Sequence, residues 1–445
     1  MQRHALFTGR QLDDVLAWQA GGAISIRQFL AEAQALAEQL PPGDWLLNVC
    51  QDRYRFAVGF VAGLLCGKTS LQPASQSAET LAQIAIDYPG TTGLCDGEFA
   101  AGALPCLHFP DLSAVDRRKV TKMPDFPSDT LAAILFTSGS TGLPQAQRKT
   151  WGKLVRNGQA GAQALGLLER PHAIVGTVPV QHSYGFESTF LLALHGGCTF
   201  WAGKPFYPQD IAAALAAVPQ PRLLVSTPFH LSALLAAQIE LPPLDLLLSA
   251  TAPLSGELAA QAEQRCAAPL YEIYGSTESG QLASRRTVTG EHWQPLAGVQ
   301  LDQEDDSTWA SGGHVEGRVP LGDLIALRDN GQFSLLGRHA DLINIAGKRT
   351  SLAWLNHQIS AIPGVLDATF FLPDEAPGAS ITRLAAFVVA PTLESRQLLA
   401  ALRQRIDPVF LPRPLRFVDA LPRNPTGKLP RQSLQALLHR TTDHD

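Results

Sequence analysis

Residues 137–142 form the stretch of this sequence best suited to binding a polyanion. Glycine lets the main chain approach a ligand closely and adopt positive φ, and hydroxyl groups add donors beside the backbone N–H groups. The segment contains two glycines and four hydroxyl residues: Thr137, Ser138, Gly139, Ser140, Thr141 and Gly142. This combination predicts a loop that binds phosphates, such as the β- and γ-phosphates of ATP.

An apolar run, residues 131–136, precedes the loop and has the length of a buried strand. A strand therefore delivers the chain into the loop. The Walker loop is excluded because no Gly-Lys-Ser/Thr closes the segment, and the dinucleotide fingerprint is excluded because its glycine spacing differs. For the loop taken alone, a Ser/Gly-rich surface linker is the alternative.

The segment from Thr137 to Pro144 resembles the phosphate-binding signature of the AMP-forming adenylating enzymes. This superfamily contains acyl-CoA synthetases, nonribosomal-peptide adenylation domains and beetle luciferases. After Pro144 the resemblance ends, because Gln145 stands where the family usually has Lys and Ala146 where it has Gly. One cationic contact to the leaving pyrophosphate is therefore missing, or it comes from the neighbouring cations Arg148 or Lys149.

A second segment, residues 271–280, resembles the family signature Tyr-Gly-x-Thr-Glu at Tyr274, Gly275, Thr277 and Glu278. The resemblance implies that Tyr274 lies near adenine and the acyl group. It also implies that Thr277 donates to the α-phosphate and that Glu278 is an oxygen ligand for Mg²⁺. A polar loop without a ligand is the alternative.

The family pattern Pro-x-x-His-x-x-Gly is matched by Pro179, His182 and Gly185. The resemblance implies that His182 lies beside the acyl carboxylate and gates the acid pocket, whereas a structural histidine is the alternative. Further on, small residues occupy the turn whose backbone lies against adenine in the family, where the purine must approach the main chain. These residues are Ser249, Ala250 and Thr251. An ordinary strand-to-helix turn is the alternative here.

Three residues in the last third of the chain complete the resemblance. Asp323, after Gly322, matches the carboxylate that accepts both ribose hydroxyls, and Arg338, 15 positions later, matches a ribose or phosphate cation. Lys428 lies in a close match to Leu-Pro-x-Thr/Asn-x-x-Gly-Lys-x-x-Arg. It is implied to be the catalytic lysine that bridges the carboxylate, the ribose and the α-phosphate. A common turn and a surface lysine are the alternatives.

Strand and helix segments alternate up to the phosphate loop, which predicts a parallel sheet with helices on its faces. The predicted fold class is α/β. A large N-terminal domain of parallel-rich sheets with flanking helices, residues 1–338, binds ATP and the acid. A small mobile α+β C-terminal domain, residues 339–445, rotates and carries Lys428. Ala340 stands where the family has a polar hinge residue, although Ala does not forbid rotation.

Periodicity predicts helices at 25–40, 52–67, 187–195 and 232–238, and strands at 45–49, 69–73 and 244–254.

With 45% hydrophobic and 17% charged residues, the 445-residue chain is globular and long enough for two or three domains. A net charge of −5 without a basic block argues against nucleic acid. Scattered cysteines and an N-terminus without an apolar core predict a cytoplasmic protein, and the longest apolar run falls short of the ~20 residues of a membrane span.

The resemblance implies that this protein activates an aryl or fatty acid with ATP and Mg²⁺, forming acyl-AMP and pyrophosphate. The acyl group then passes to the thiol of CoA or of the phosphopantetheine of an acyl carrier protein. Candidates for the acid pocket are Tyr184, Phe186, Phe229 and His230. The alternatives are a nucleotide-binding relative with reduced or no turnover, and a ligase that stops at the adenylate or forms an amide.

Overall fold

The structure, a computed structural model, describes residues 2–73, 76–99, 104–138, 144–305, 307–338, 342–345, 348–373, 383–423 and 429–440. The chain forms two compact units. The first comprises Met1–Leu301 and Ala310–Val319, and the second comprises Asp302–Trp309 and Pro320–Asp445. The boundary predicted after Arg338 marks the point about which the small domain would rotate, and it stays a prediction.

Most strands belong to the first unit. They are β1 (Arg3–Ala5), β2 (Val15–Gln19), β3 (Gly22–Ser25), β4 (Trp45–Asn48), β5 (Thr69–Gln72), β6 (Thr92–Cys95), β7 (Cys106–His108), β8 (Asp125–Pro127), β9 (Leu131–Ser138), β10 (Pro144–Thr150), β11 (Ala173–Gly176), β12 (Thr199–Trp201), β13 (Arg222–Ser226), β14 (Leu246–Ser249), β15 (Leu270–Ser276), β16 (Gly280–Arg286) and β17 (Gln294–Pro295). The chain passes between the units within three further strands, which are β18 (Val299–Glu304), β19 (Ser307–Gly312) and β20 (Val319–Leu321).

The helices of the first unit are α1 (Ile26–Ala37), α2 (Arg53–Leu65), α3 (Ala78–Asp87), α4 (Trp151–Ala164), α5 (Ser183–Gly185), α6 (Leu192–His195), α7 (Pro208–Ala216), α8 (Pro228–Ala236) and α9 (Gly256–Cys266). A π-helical turn, Phe186–Leu191, joins α5 to α6, and short 3-10 turns occupy Arg117–Lys119 and Thr287–Thr289.

Within the described residues, the first unit is built on two large sheets. One has the strand order β10-β9-β5-β4-β6-β7, and all its neighbours are parallel except the edge pair β9 and β10. The other has nine strands in the order β17-β16-β15-β14-β13-β11-β12-β2-β3, and its centre from β15 to β2 is parallel. Parallel-rich sheets with helices between the strands along the chain confirm the predicted α/β class.

Local sequence signals explain the first helices. Ser25 and Asp52 cap α1 and α2 by accepting hydrogen bonds from Gln28 N and Arg55 N. Nearly every residue of α2 is buried, as its continuous apolar run predicts. Both helices therefore confirm the sequence analysis, with ends shifted by one to three residues.

An aromatic cluster of Phe56, Phe60, Phe186 and Phe190 fills the core between α2 and the π-helical turn, with ring centroids 5.3–6.4 Å apart. Phe186 is fully buried in this cluster. The prediction that it lines an acid pocket is wrong, because its ring is enclosed by other phenyl rings.

Two predicted helix starts are also wrong. The helix predicted at 187–195 begins at Ser183, and the helix predicted at 232–238 begins at Pro228. In α8 the proline stands in the first turn, where its missing N–H costs nothing, and Thr227 caps the helix. His230 is therefore a helix residue and not part of a turn before one.

The second unit contains β21 (Asp323–Leu327), β22 (Phe333–Arg338), β23 (Leu342–Ile345), β24 (Lys348–Ser351), β25 (Asp367–Phe371), β26 (Ala385–Val389) and β27 (Leu415–Phe417). Its helices are α10 (Leu352–Ser360), α11 (Ser395–Arg403) and α12 (Arg431–Arg440), with a 3-10 turn at Pro408–Phe410. Two hairpins, β21-β22 and β23-β24, precede a three-stranded sheet in the order β25-β26-β27. This α+β composition agrees with the prediction. In the described part of the chain, no helix combines the length and apolarity that crossing a membrane requires.

Candidate functional site

The predicted phosphate loop spans a β-hairpin. Strands β9 and β10 are antiparallel, with Ser138 opposite Pro144 and Thr137 opposite Gln145, so the loop leaves and re-enters the same edge of the sheet. Thr137 is half-buried, and only the backbone of Ser138 is described. The remaining predicted loop residues, Gly139, Ser140, Thr141 and Gly142, lie outside the described residues.

The Tyr-Gly-x-Thr-Glu segment forms the turn between β15 and β16. A Cβ at Gly275 would lie 2.2 Å from Gly280 O, so glycine is required where the register shifts after Tyr274. Ser276 and Ser279 hold the turn by reciprocal hydrogen bonds between backbone N–H and side-chain Oγ, at 3.1 and 3.2 Å. Thr277 and Glu278 stand half-buried at its tip.

Tyr274 is fixed by a stack of side chains. The centroid of its ring lies 5.7 Å from that of Trp293. The guanidinium of Arg285 lies over the Trp293 ring, 4.4 Å from the ring centroid. Arg285 in turn pairs at 2.6 Å with Glu272, a carboxylate that is 3% exposed. This chain orients the aromatic face that the sequence assigned to adenine.

The predicted adenine turn follows β14, the parallel neighbour of β15, so both turns lie at the same edge of the sheet. Glu272 Oε1 accepts a hydrogen bond from Leu254 N at 3.3 Å and ties the two segments together. Thr251 has φ +77°, a conformation that is costly for a β-branched residue. Ser249 is fully buried, and its Oγ has no hydrogen-bond partner among the described residues. Ala250 is also buried, so the turn presents mainly backbone.

His182 caps the short helix α5. Its Nδ1 accepts a hydrogen bond from Tyr184 N at 3.2 Å, so the neutral ring carries its proton on Nε2 and is a donor there. A Cβ at Gly185 would lie 2.0 Å from Pro179 O, which explains the Pro-x-x-His-x-x-Gly spacing. The motif is thus a compact turn that holds the imidazole.

One hydrogen bond brings the two groups of predicted residues together. Ser183 Oγ lies 3.2 Å from Thr277 Oγ1, although the residues are 94 positions apart. The imidazole turn and the tip of the β15-β16 turn are therefore neighbours. Ser183 was not singled out from the sequence, since a serine after a histidine has no distinguishing pattern.

Two acid-pocket candidates are buried polar side chains. His230 is 2% exposed, its Nδ1 lies 2.9 Å from Thr227 Oγ1, and burial lowers its pKa to about 4. Burial likewise raises the pKa of Tyr184 well above its ordinary value. Both side chains are neutral at physiological pH. Phe229 is 41% exposed and remains a candidate for contact with a ligand.

In the second unit, Asp323 and Arg338 lie directly opposite each other in the β21-β22 hairpin. The Arg338 side chain is outside the described part of the structure, and Lys428 and Ala340 lie outside the described residues altogether. Gly337 has φ +140°, and a Cβ there would lie 2.8 Å from Ser351 Oγ, so the position next to Arg338 requires glycine.

The donor set suits a hard cation bound jointly by protein and nucleotide. No described residue donates a hydrogen bond to the Glu278 carboxylate, and oxygen is the ligand that Mg²⁺ prefers. The described residues contain no group of three or more His, Cys, Asp or Glu arranged to hold a metal ion. Protein sites for Mg²⁺ usually use one or two carboxylates and take the remaining ligands from phosphates and water, which fits a single glutamate.

Comparisons with known proteins identify a family. Residues 74–330 match the family described as AMP-binding enzyme, and residues 356–428 match the AMP-binding enzyme C-terminal domain. The chain is 30% identical over 308 residues to the 4-coumarate–CoA ligase of Rhodobacter capsulatus, covering 68% of this chain and 75% of the relative. It is 24% identical over 377 residues to the 2-succinylbenzoate–CoA ligase of Bacillus velezensis, covering 78% and 76%.

A solved structure shares the fold over the whole chain. The O-succinylbenzoate coenzyme A synthetase of Bacillus subtilis, in complex with ATP and magnesium ion, matches with a TM-score of 0.82. The match covers 98% of this chain and 100% of that chain at 19% identity.

Proposed function

Because the chain belongs to the AMP-binding enzyme family, we propose that it activates a carboxylic acid with ATP and passes the acyl group to a thiol. The observation that carries the proposal is the 3.2 Å contact between Ser183 and Thr277. It supports one site in which the imidazole of His182 and the Thr277–Glu278 turn face the same reacting groups.

In the first half-reaction a carboxylate oxygen attacks the α-phosphorus of ATP. A new P–O bond forms to the acid, the bond to the β-phosphate bridging oxygen breaks, and pyrophosphate leaves with the electron pair. No base is needed, because the acid is already ionised at neutral pH. Catalysis is therefore positioning and electrostatics.

We assign the following roles in this step. The His182 Nε2–H donates to the acid carboxylate, and the Thr277 hydroxyl donates to the α-phosphate. Glu278 holds Mg²⁺, which when bound neutralises phosphate charge. The backbone of the Ser249–Ala250–Thr251 turn and the ring of Tyr274 hold adenine, and the glycine- and hydroxyl-rich segment from Thr137 to Gly142 holds the outgoing phosphates.

We assign further roles to three residues of the second unit. Asp323 accepts hydrogen bonds from the ribose hydroxyls, Arg338 contacts the ribose or phosphate, and Lys428 offsets charge on the α-phosphate as pyrophosphate leaves. The small domain then rotates, and a thiolate of CoA or phosphopantetheine attacks the acyl carbon. A C–S bond forms, the C–O bond to AMP breaks, and the products are a thioester and AMP.

We propose an aryl acid as the substrate class. Support comes from the relatives described as 4-coumarate–CoA ligase and 2-succinylbenzoate–CoA ligase. Tyr184 and His230, both buried and neutral, would supply polar atoms to a polar substituent on an aromatic ring.

ATP–pyrophosphate exchange with hydroxybenzoic, cinnamic and fatty acids tests adenylation and the acid class together. Acid-dependent exchange is expected with an aryl acid, and Lys428→Ala is expected to lower it by about 100-fold, the loss typical of one electrostatic group. Lys348→Ala is the control, because Lys348 lies in the same unit and pairs with Asp407. Preference for a medium-chain fatty acid would sink the aryl assignment.

Exchange with no acid, despite ATP binding, would instead favour the nucleotide-binding relative with reduced turnover. The acceptor is tested by adding CoA, a phosphopantetheinylated carrier protein or an amine to the preformed adenylate and identifying the product by mass. A thioester supports the proposal, an amide identifies an amide-forming ligase, and unchanged acyl-AMP with every acceptor identifies an adenylate-only ligase.

A further inference from the structure

We propose that Lys149 is a positioning residue that holds the backbone of Glu278, and with it the metal-binding carboxylate, in the geometry that MgATP requires. The inference rests on the proposed function, since it concerns how that site binds metal and nucleotide. It assigns a role to a lysine that touches neither the metal nor the phosphates.

Lys149 points inward from the end of β10. It is 6% exposed, and its Nζ donates a hydrogen bond to Glu278 O at 2.9 Å. The two residues are 129 positions apart, so this bond joins the strand that leaves the phosphate loop to the turn that carries the candidate metal ligand. A charged donor makes such a bond stronger than a neutral one.

A second buried charge faces the same place. Glu187 lies in the π-helical turn, is 4% exposed, and attracts the Lys149 ammonium electrostatically. Burial raises the pKa of Glu187 to about 7, while Lys149 and a hydrogen bond from Asn157 oppose that rise. Burying two ionisable groups costs desolvation free energy, and their mutual attraction offsets part of that cost.

These groups pack directly behind the turn. A Cβ at Gly280 would lie 3.3 Å from Glu187 Oε1 and 2.9 Å from Asn157 Nδ2. The end of the turn is therefore backed by Glu187 and Asn157, and its tip is held by Lys149. A shift of the Glu278 carbonyl would rotate the peptide units on either side of its Cα and so redirect its side chain.

This arrangement argues against Lys149 as a substitute for the family lysine, whose position is occupied here by Gln145. Its ammonium is occupied by the Glu278 carbonyl and buried, so it is not available to pyrophosphate. Gln145 and Lys149 share one face of β10 but lie four residues apart, about 13 Å at the usual rise of a strand.

Equilibrium binding tests the proposal without requiring catalysis. Calorimetry measures the Kd of ATP with excess Mg²⁺ and with EDTA, for the wild type and for Lys149→Met. We expect the Kd of MgATP to rise about tenfold, which corresponds to about 1.4 kcal/mol, while the Kd of metal-free ATP changes less than about twofold. Equal weakening in both conditions, or no change, would overturn the inference.

Two variants separate positioning from folding. In the double variant K149M/E187Q the unpaired buried carboxyl is gone, so stability should recover while the Mg²⁺-dependent gain in affinity stays lost. Lys153→Met is the matched control, because Lys153 also donates to a backbone carbonyl, Gly313 O, at 2.9 Å but does not touch the turn. Recovery of metal-dependent binding in the double variant would overturn the inference.

The two proposals fail in different ways. A wild type that does not bind MgATP would refute the proposed function, and the inference with it. A wild type that binds MgATP normally, with Lys149→Met indistinguishable from it, would refute only the inference.

Discussion

Replacing Arg53, a charged side chain that is 1% exposed, should destabilise the first unit and loosen the turn that carries His182. Its guanidinium donates four hydrogen bonds to backbone carbonyls and pairs with none of the described carboxylates. Two go to the end of β12 and the segment after it, at Trp201 O and Gly203 O. The other two go to the end of β11 and the segment after it, at Gly176 O and Val178 O. The distances are 2.8–3.1 Å.

The magnitude follows from these bonds and the cost of burial. A hydrogen bond from a charged donor contributes about 1.5–3 kcal/mol, so four at the lower limit contribute about 6 kcal/mol. Burial lowers the pKa of Arg53 from 12.5 to about 10. That shift corresponds to a penalty of about 3 kcal/mol, which Arg53→Met removes. The net loss should therefore be about 3 kcal/mol or more.

Urea unfolding followed by tryptophan fluorescence measures this loss, and exchange assays at varied acid concentration measure the KM for the acid. Arg55→Met is the matched control. Arg55 lies on the same helix, is exposed, and makes a cation–π contact with Phe109 at 5.5 Å. Its replacement should cost less than about 1 kcal/mol. If the free energies of unfolding of Arg53→Met and Arg55→Met differ by less than about 1 kcal/mol, the energetic argument is refuted.

Gly275→Ala should lose ATP binding and about 2–3 kcal/mol of stability, because the added Cβ meets Gly280 O at 2.2 Å, whereas Gly256→Ala, with nothing within 4 Å, should be neutral or stabilising in the same thermal and binding assays. Thr251→Gly should stabilise the protein by about 0.5–1 kcal/mol. The left-handed backbone costs an L residue about 1–2 kcal/mol, and the greater entropy of glycine in the unfolded chain offsets part of the relief. A lower Tm would contradict this. The pKa of Glu187 is about 7 in the folded state against an ordinary 4.5, so between pH 4.5 and 7 the folded state binds more protons at this carboxyl than the unfolded state does. Stability should then fall by up to about 3 kcal/mol as pH rises from 4.5 to 7, and Glu187→Gln should remove that slope in urea titrations at each pH.

Signals that lie within one segment were sufficient for much of the fold. The apolar run before the phosphate loop, the caps Ser25 and Asp52 and the continuous burial of α2 all follow from spacing and propensity. The helix starts at Ser183 and Pro228 were missed, because a proline at the first helical position and a histidine cap look like a turn when viewed as sequence.

The candidate site was only partly accessible for the same reason. Motif resemblance located the tip of the β15-β16 turn and the imidazole of His182. It did not indicate that β10 returns antiparallel beside β9, since its polar residues gave no clear strand pattern. It named Lys149 only as a possible contact to pyrophosphate and did not single out Glu272, because the partners of both residues lie elsewhere along the chain.

The hairpin that spans the phosphate loop also restricts how this chain can change over evolutionary time. Side chains along β10 alternate between faces, so inserting or deleting one residue between the loop and Thr150 would turn Lys149 towards solvent and Arg148 towards the interior. Changes of length here are therefore tolerated only in pairs, or when compensated within the loop itself. The number of residues between the loop and Lys149 is therefore under a constraint separate from the one that phosphate binding places on the loop's composition.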